Sequence, residues 1–334
     1  SIWMNPGQTR IVRQLADHSA ISEERFDITD SIIVAQNGVI TVTNRGARLV
    51  PHDYNRLVTL RCERGIIYNE NAETSSWERS LQTSIPDEDQ RSWLQQALGL
   101  ALIGRPGKLF INLIGRTNSG KSTFIRAIQR VVGGYSRAVS VETFLEGPGN
   151  DDFRLHELKG ARMVFASEPE MNRKLNTEVI KSVTGGDRQR TREPYGKFVM
   201  WQPQCLITIA SNAPMRFETS DVAMLNRIGP VAFNAQHILD PRLELKLEAE
   251  NEGVLLWLIR GAIAGLRQPP QLPETALQLR ELMAAHVDES LRFIAEAILN
   301  GWIVEVGREV PASQCITLNE LYKMFIAWCA DEGM

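Results

Sequence analysis

Cysteine is scarce and dispersed in this chain. Four occur, at Cys62, Cys205, Cys315 and Cys329, with no C-x-x-C pair and no histidine cluster beside them. That argues against a zinc site or a disulfide framework and suits a reducing cytosol. Long apolar runs are missing too. The longest, Val254 to Leu266, carries Arg260 and two glycines, so it is too short and too charged to span a membrane. No N-terminal apolar core with a cleavage site is visible, and no internal repeat is found. Net charge is only −3. A uniformly basic nucleic-acid binder is thereby excluded, and any basic surface must be local. The expectation is a cytoplasmic protein without a membrane partner.

The 334 residues are enough for two or three domains with ample core. Four regions follow one another. Residues 1–104 form a mixed N-terminal domain, with the turn-like Gln36-Asn37-Gly38 before an alternating Val39–Thr43. It closes in a helix signal. Pro86-Asp-Glu-Asp89 suits a first turn, Trp93, Leu94, Ala97, Leu98, Ala101 and Leu102 share one face, and Gly104 is a stop. Residues 105–234 alternate apolar runs with helical segments: Leu109–Ile114, Ala138–Val141, Arg162–Ala166, Cys205–Ala210 and Val231–Phe233. They predict an α/β sheet covered on both faces. Residues 235–267 predict a helical lid, and 268–334 a helical extension after the proline-rich Gln268–Pro273. The abrupt end after Leu318–Cys329 is expected of a fragment of a longer protein.

The strongest chemical signal is Gly115-Arg-Thr117-Asn118-Ser119-Gly120-Lys121-Ser122-Thr123. It fits G-x-x-x-x-G-K-[ST], after an apolar strand and before the helical Phe124–Val132. Backbone N–H groups of such a loop point inward and hold phosphates, and its glycines allow close approach. Lys121 would reach the β- and γ-phosphates, and Ser122 would ligate Mg²⁺. ATP and Mg²⁺ are the expected cofactors.

Nucleotide hydrolysis also needs an acid at a strand end. Met163–Ser167 is followed by Glu168, the candidate for Mg²⁺ and the attacking water; Glu170 is a weaker one. Cys205–Ser211 leads to Asn212, an amide able to hold that water or to sense the γ-phosphate. Arg227 precedes the last strand and could stabilise phosphate charge from a neighbouring subunit. Between these lies Asp187–Trp201. Alternation puts Arg188, Arg190 and Arg192 on one side of a strand, Glu193-Pro-Tyr195-Gly is a turn, and Lys197–Trp201 is a return strand. Cations with an aromatic near the tip suit sequence-independent binding of a single strand. Arg190, Arg192, Tyr195 and Lys197 are the DNA-binding candidates.

In this order the motifs resemble superfamily 3 helicases of the AAA+ class, in particular the helicase part of phage and plasmid primase–helicases. Gly115–Thr123 resembles the nucleotide loop, Phe165–Glu168 the acidic strand and Lys181–Asp187 the motif special to that superfamily. Ile207–Asn212 resembles the sensor strand and Asn226-Arg227-Ile228 the arginine finger. Asn37-Gly-Val-Ile, Pro51–Tyr54 and Ile85–Glu88 resemble the domain that precedes the motor. Gly253–Trp257, Gly261 and Gly265-Leu266 resemble its helical lid. Two departures stand out. Glu168 follows Ser167 where two acids are common, and Arg227 follows Asn226 where a paired arginine is common.

The resemblance implies an AAA+ P-loop NTPase core and a homo-hexameric ring moving 3′→5′ on single-stranded or forked DNA. It implies the cytoplasm of a phage's or plasmid's bacterial host. Any primase or polymerase domain is expected before residue 1. The alternative is an AAA+ ATPase that loads or remodels a replication complex without unwinding. A protein that merely binds ATP is a third class, disfavoured by Glu168 and Arg227.

Overall fold

A computed structural model of the chain describes residues 31–53, 56, 58–147, 152–167, 173–192, 198–217, 221–234, 240, 242–284, 293–294, 296–298, 301–303 and 315–331. Its first element is an antiparallel sheet of β1 (Ile32–Ala35), β2 (Gly38–Thr43) and β3 (Gly46–Val50), in that order. The expected turn at Gln36-Asn37 joins β1 to β2. Asn37 fixes it by bonding both the N–H and the carbonyl of Tyr68, each at 2.9 Å.

Two helices follow, α1 (Ser75–Ser84) and α2 (Glu88–Leu102). The Asp87 carboxylate accepts the Gln90 N–H at 2.9 Å and caps α2. The six apolar residues foreseen on one face of α2 are all buried. Gly104, at φ 81°, stops the chain from continuing as helix.

The central sheet is built from β4 (Phe110–Ile114), β5 (Ser136–Ala138), β6 (Met163–Ser167), β9 (Leu206–Ser211) and β10 (Ile228–Ala232). All neighbours are parallel, in the order β10-β4-β9-β6-β5. Along β4, Ile111 and Leu113 enter one core, and Phe110 and Ile114 the other. That two-sided burial is why these strands read as unbroken apolar runs. Helix α3 (Lys121–Val132) packs on the first face, with α8 (Asn251–Arg267) beyond it; α5 (Thr177–Gly185) and α9 (Glu274–Ala284) supply the second. The shorter helices are α4 (Asp152–His156), α6 (Val222–Leu225) and α7 (Leu243–Ala249); α10 (Leu318–Asp331) comes last. No described helix is long and apolar enough to cross a membrane.

Two strands differ from expectation. β5 ends at Ala138, and the chain enters a short 3₁₀ turn at Val141. β10 begins at Ile228 and includes Gly229-Pro230. As an edge strand, β10 tolerates a proline whose missing N–H faces away from its one neighbour. Ala232, two residues on and oriented alike, gives its N–H to Gln90 Oε1 at 3.0 Å instead of to β4.

Helices α2 and α8 cross with backbones almost touching. A Cβ on Gly99 would sit 2.2 Å from Ala262 N, and one on Gly261 2.1 Å from Gln95 O. Glu250, buried ahead of α8, accepts the N–H groups of Ser76 (2.9 Å) and Trp77 (2.8 Å). It thereby caps α1, which has no side-chain cap of its own.

Candidate functional site

Parallel strands send all their C-terminal ends to one edge of the sheet, where α/β folds bind ligands. The β4 chain leaves that edge at Gly115, whose N–H donates to Ser211 O at 3.2 Å. No side chain fits here: a Cβ on Gly115 would be 2.3 Å from Phe233 O. Asn118 (φ 66°) and Gly120 (φ 98°) then take left-handed conformations that curl the loop. Gly120 begins α3 without any side-chain cap, so the first N–H groups of that helix are left for an anion. Thr117 and Asn118 are exposed at the loop surface, and Ser119 is buried beneath it.

Lys121 is buried and folds back over the loop. Its ammonium donates to the carbonyl of Gly115, to Arg116 O at 2.9 Å and to Ser119 Oγ at 3.2 Å. It also lies 3.5 Å from Asn212 Oδ1. No carboxylate pairs with it among the described residues. Burial lowers its pKa from 10.5 to about 8. A desolvated cation held only by neutral dipoles is an anion site in electrostatic terms. Ser122 is exposed beside it, and Thr123 is half-buried on the same turn.

The turn that carries Asn212 is held by a residue that sequence reasoning missed. Asn112, wholly buried in mid-β4, donates to Ile209 O at 3.2 Å and to Ser211 Oγ at 2.8 Å, and accepts Met215 N–H at 3.2 Å. Ser211 Oγ in turn donates to Ala213 O at 2.6 Å. The 211–215 turn is thus tied to the strand that carries the phosphate loop. The available signal was a lone amide in the apolar run Phe-Ile-Asn-Leu-Ile.

β6 ends at Ser167, which lies opposite Ala210 of β9. Glu168 and Glu170, next in sequence, lie outside the described residues, as do Tyr195 and Lys197. Arg227 sits at the other edge of the sheet, where strands begin. Its carbonyl accepts the Phe110 N–H at 2.8 Å, and its guanidinium donates to Thr184 Oγ1 (3.2 Å) and Ala223 O (2.6 Å). The five residues of β4 separate it from the loop, a rise of about 17 Å. Within one chain, Arg227 and Lys121 are not brought together.

The basic hairpin consists of β7 (Gln189–Arg192) and β8 (Phe198–Trp201), paired antiparallel. Its inner face is anchored by buried Thr191, whose Oγ1 meets His156 Nδ1 at 3.0 Å and Trp201 Nε1 at 2.9 Å. Arg188, Arg190 and Arg192 are all exposed on the other side. Opposite them the register places Met200 and Phe198, which are 58% and 52% exposed. The Arg190 guanidinium lies 4.2 Å from the Phe198 ring centre. Phe198 is therefore an aromatic of this face that the sequence did not single out.

Comparison with known proteins adds modest likenesses. Residues 113–227 match a family described as one of unknown function (DUF5906). That span starts inside β4 and ends at Arg227, and it is less than half of the chain. The chain is 23% identical over 169 residues to "Putative helicase L207/L206" of Acanthamoeba polyphaga mimivirus, covering 49% of this chain and 18% of that protein. It is 26% identical over 161 residues to "Putative helicase 022R" of Frog virus 3 (isolate Goorha), covering 46% and 16%. The chain thus spans less than a fifth of the length of these curated relatives. Among solved structures, an apo form of the NrS-1 C terminal region superposes with a TM-score of 0.48 at 12% identity, over 75% of this chain and 64% of that one. Another apo structure of that region gives 0.47 at 11%, over 82% and 71%. The chain is distantly similar to viral proteins named as helicases, on an α/β core with a parallel five-stranded sheet.

Proposed function

We propose that this chain is the ATP-driven motor of a ring-forming DNA helicase that moves along a single strand during phage or plasmid replication. The observation that carries the proposal is Lys121: a desolvated ammonium with no acid beside it among the described residues, enclosed by a left-handed loop at the open start of α3. A triphosphate supplies the missing counter-charge. Lys121 and the N–H groups of Gly120 to Thr123 would hold its phosphates.

Mg²⁺ fits the donor set. The Ser122 hydroxyl is exposed at the loop mouth, and no cluster of three or more acid, His or Cys ligands occurs among the described residues. A hard ion that keeps waters and substrate oxygens as ligands suits so few protein donors. Ser122 and Glu168 would hold it, and when bound it neutralises charge on the β- and γ-oxygens. Glu168 would orient the attacking water, and Asn212, pinned through Asn112, would report whether a γ-phosphate is present.

Arg227, about a strand's length from its own loop, supports a role at the next subunit's site. Such head-to-tail contacts close into rings when the rotation allows. The exposed Arg190, Arg192 and Phe198, with Tyr195 and Lys197 between the strands, would grip phosphate and stack a base. The second reading, a remodelling ATPase, shares every one of these residues except a need for strand displacement. Fork unwinding with ATP turnover measured in parallel separates the two.

A further inference from the structure

Beside the N-terminal sheet lies a cavity of about 550 Å³ that the motor does not use. One wall is the apolar surface of Val34, Ala35 and Val39. The segment 61–64, which runs beside β1, also lines it. That segment is fixed by backbone bonds on both sides. Cys62 N–H donates to Val34 O at 2.8 Å, and Gln36 N–H to Ile66 O at 2.8 Å. Glu63 N–H donates to Val131 O at 3.1 Å, and Gly134 N–H to Arg61 O at 2.9 Å. These two parts of the lining are therefore held by backbone bonds, and the volume falls within the roughly 300–1,000 Å³ of small-ligand sites.

The rim is charged with an excess of cations. Arg56, Arg61 and Arg64 line it against Asp53 and Glu63. Asp53 sits 3.8 Å from Arg56. Glu63 turns one oxygen to the backbone N–H of Arg64 at 3.1 Å. No carboxylate comes within ion-pair reach of the Arg61 or Arg64 guanidinium among the described residues. Two guanidinium forks without a carboxylate partner among the described residues, lining one cavity with apolar side chains, match an anion of phosphate geometry that carries an apolar or aromatic body. We propose that this cavity binds the phosphate ester of a nucleotide unit, either free or within a single strand.

The site is separate from the phosphate loop. Lys121 starts α3 and Val131 lies at its far end, a rise of about 15 Å. The inference does not depend on the motor reading, because binding here survives loss of the loop.

The test uses the Lys121→Ala protein, in which loop binding is removed. Calorimetric titration is run with adenosine monophosphate, with a 5′-phosphorylated tetrathymidylate and with inorganic phosphate. At least one of the first two binds, and more tightly than inorganic phosphate. Adding Arg61→Ala and Arg64→Ala weakens that binding about tenfold or more, and Arg61→Lys and Arg64→Lys weaken it less. Both rim arginines are exposed, so a matched thermal midpoint verifies the fold of each variant. Binding of the monophosphate assigns the site to free nucleotide; binding of the tetranucleotide alone assigns it to a strand. The proposal is overturned if neither probe binds, if the rim substitutions change nothing, or if inorganic phosphate binds as tightly as both probes.

Discussion

The side-chain amide of Asn112 donates to Ser211 Oγ at 2.8 Å, joining the middle of the loop-bearing strand to the end of its neighbour across 99 residues of sequence. Replacing Asn112 by Leu would leave the buried Met215 N–H without its acceptor. The expected cost is about 1–3 kcal/mol, read as a lower midpoint in urea. A larger fractional loss is expected in ATP turnover than in nucleotide affinity, because the 211–215 turn loses its anchor while the loop keeps its own. Equal losses in both would remove Asn112 from the positioning of Asn212.

Lys121 sets the pH behaviour. Its pKa is near 8 in the folded protein against 10.5 in a free chain, so between those values the unfolded state binds more protons. Stability therefore rises with pH across this window through this group, and below about pH 8 the burial penalty stands in full. A bound phosphate anion reverses the shift, since opposite charge favours the ammonium. Nucleotide binding at pH 8.5 should accordingly take up protons, as much as one per site. Calorimetry in buffers of differing ionisation enthalpy reads this directly. Uptake that persists in Lys121→Ala would assign it to another group.

Glu168→Gln should keep nucleotide binding and stop hydrolysis, since shape is retained and the carboxylate charge is lost. Normal turnover in this variant would mean that the hydrolytic acid is elsewhere. For Arg227→Ala, binding should persist and turnover fall by up to ~10³-fold. Mixing it with Lys121→Ala subunits should restore part of the activity, because some interfaces would pair an intact loop with an intact arginine. Verified mixed assemblies without any rescue would count against a role in trans.

The hairpin prediction follows from its exposed face. Phe198→Ala removes a stacking platform, a loss of about 1–3 kcal/mol in single-strand affinity, with little change in salt dependence. Arg190→Ala and Arg192→Ala should instead flatten the salt dependence by roughly one ion per lost contact. Replacing Tyr195 and Lys197 should weaken unwinding while basal ATP hydrolysis persists. A collapse of basal hydrolysis in any of these would make the hairpin a structural element.

Close packing makes a further demand on stability. Gly261→Ala drives a methyl into Gln95 O, and α2 and α8 must separate to admit it. A loss of about 1–3 kcal/mol is expected, measured by chemical unfolding. An unchanged midpoint would show that the helices part without cost.

Much of this architecture was legible because burial writes itself into composition. Strands covered on both faces must be apolar throughout, so β4, β6 and β9 stood out as runs, and α2 announced itself by its apolar face and the proline and acids at its start. β10 stood out only in its second half, as Val231–Phe233, because Gly229-Pro230 carries the chemistry of a turn. Glycine is required there by the Trp93 ring, 2.1 Å from where a Cβ would be, and proline is tolerated on an outer edge. The phosphate loop was legible because its conformation depends on particular residues at fixed spacing. Asn112, Phe198 and the cavity by β1 were not. Each acquires its meaning from a partner distant in sequence or across a strand pair, which only register and packing supply.

In the proposed function, hydrolysis at the Lys121 loop drives strand separation. The most direct measurement is phosphate release and strand displacement on the same forked DNA, with wild-type protein beside Lys121→Ala. DNA should stimulate phosphate release, displacement should proceed with it, and both should vanish in Lys121→Ala. Robust phosphate release without displacement of any fork, or displacement that persists in Lys121→Ala, would contradict it.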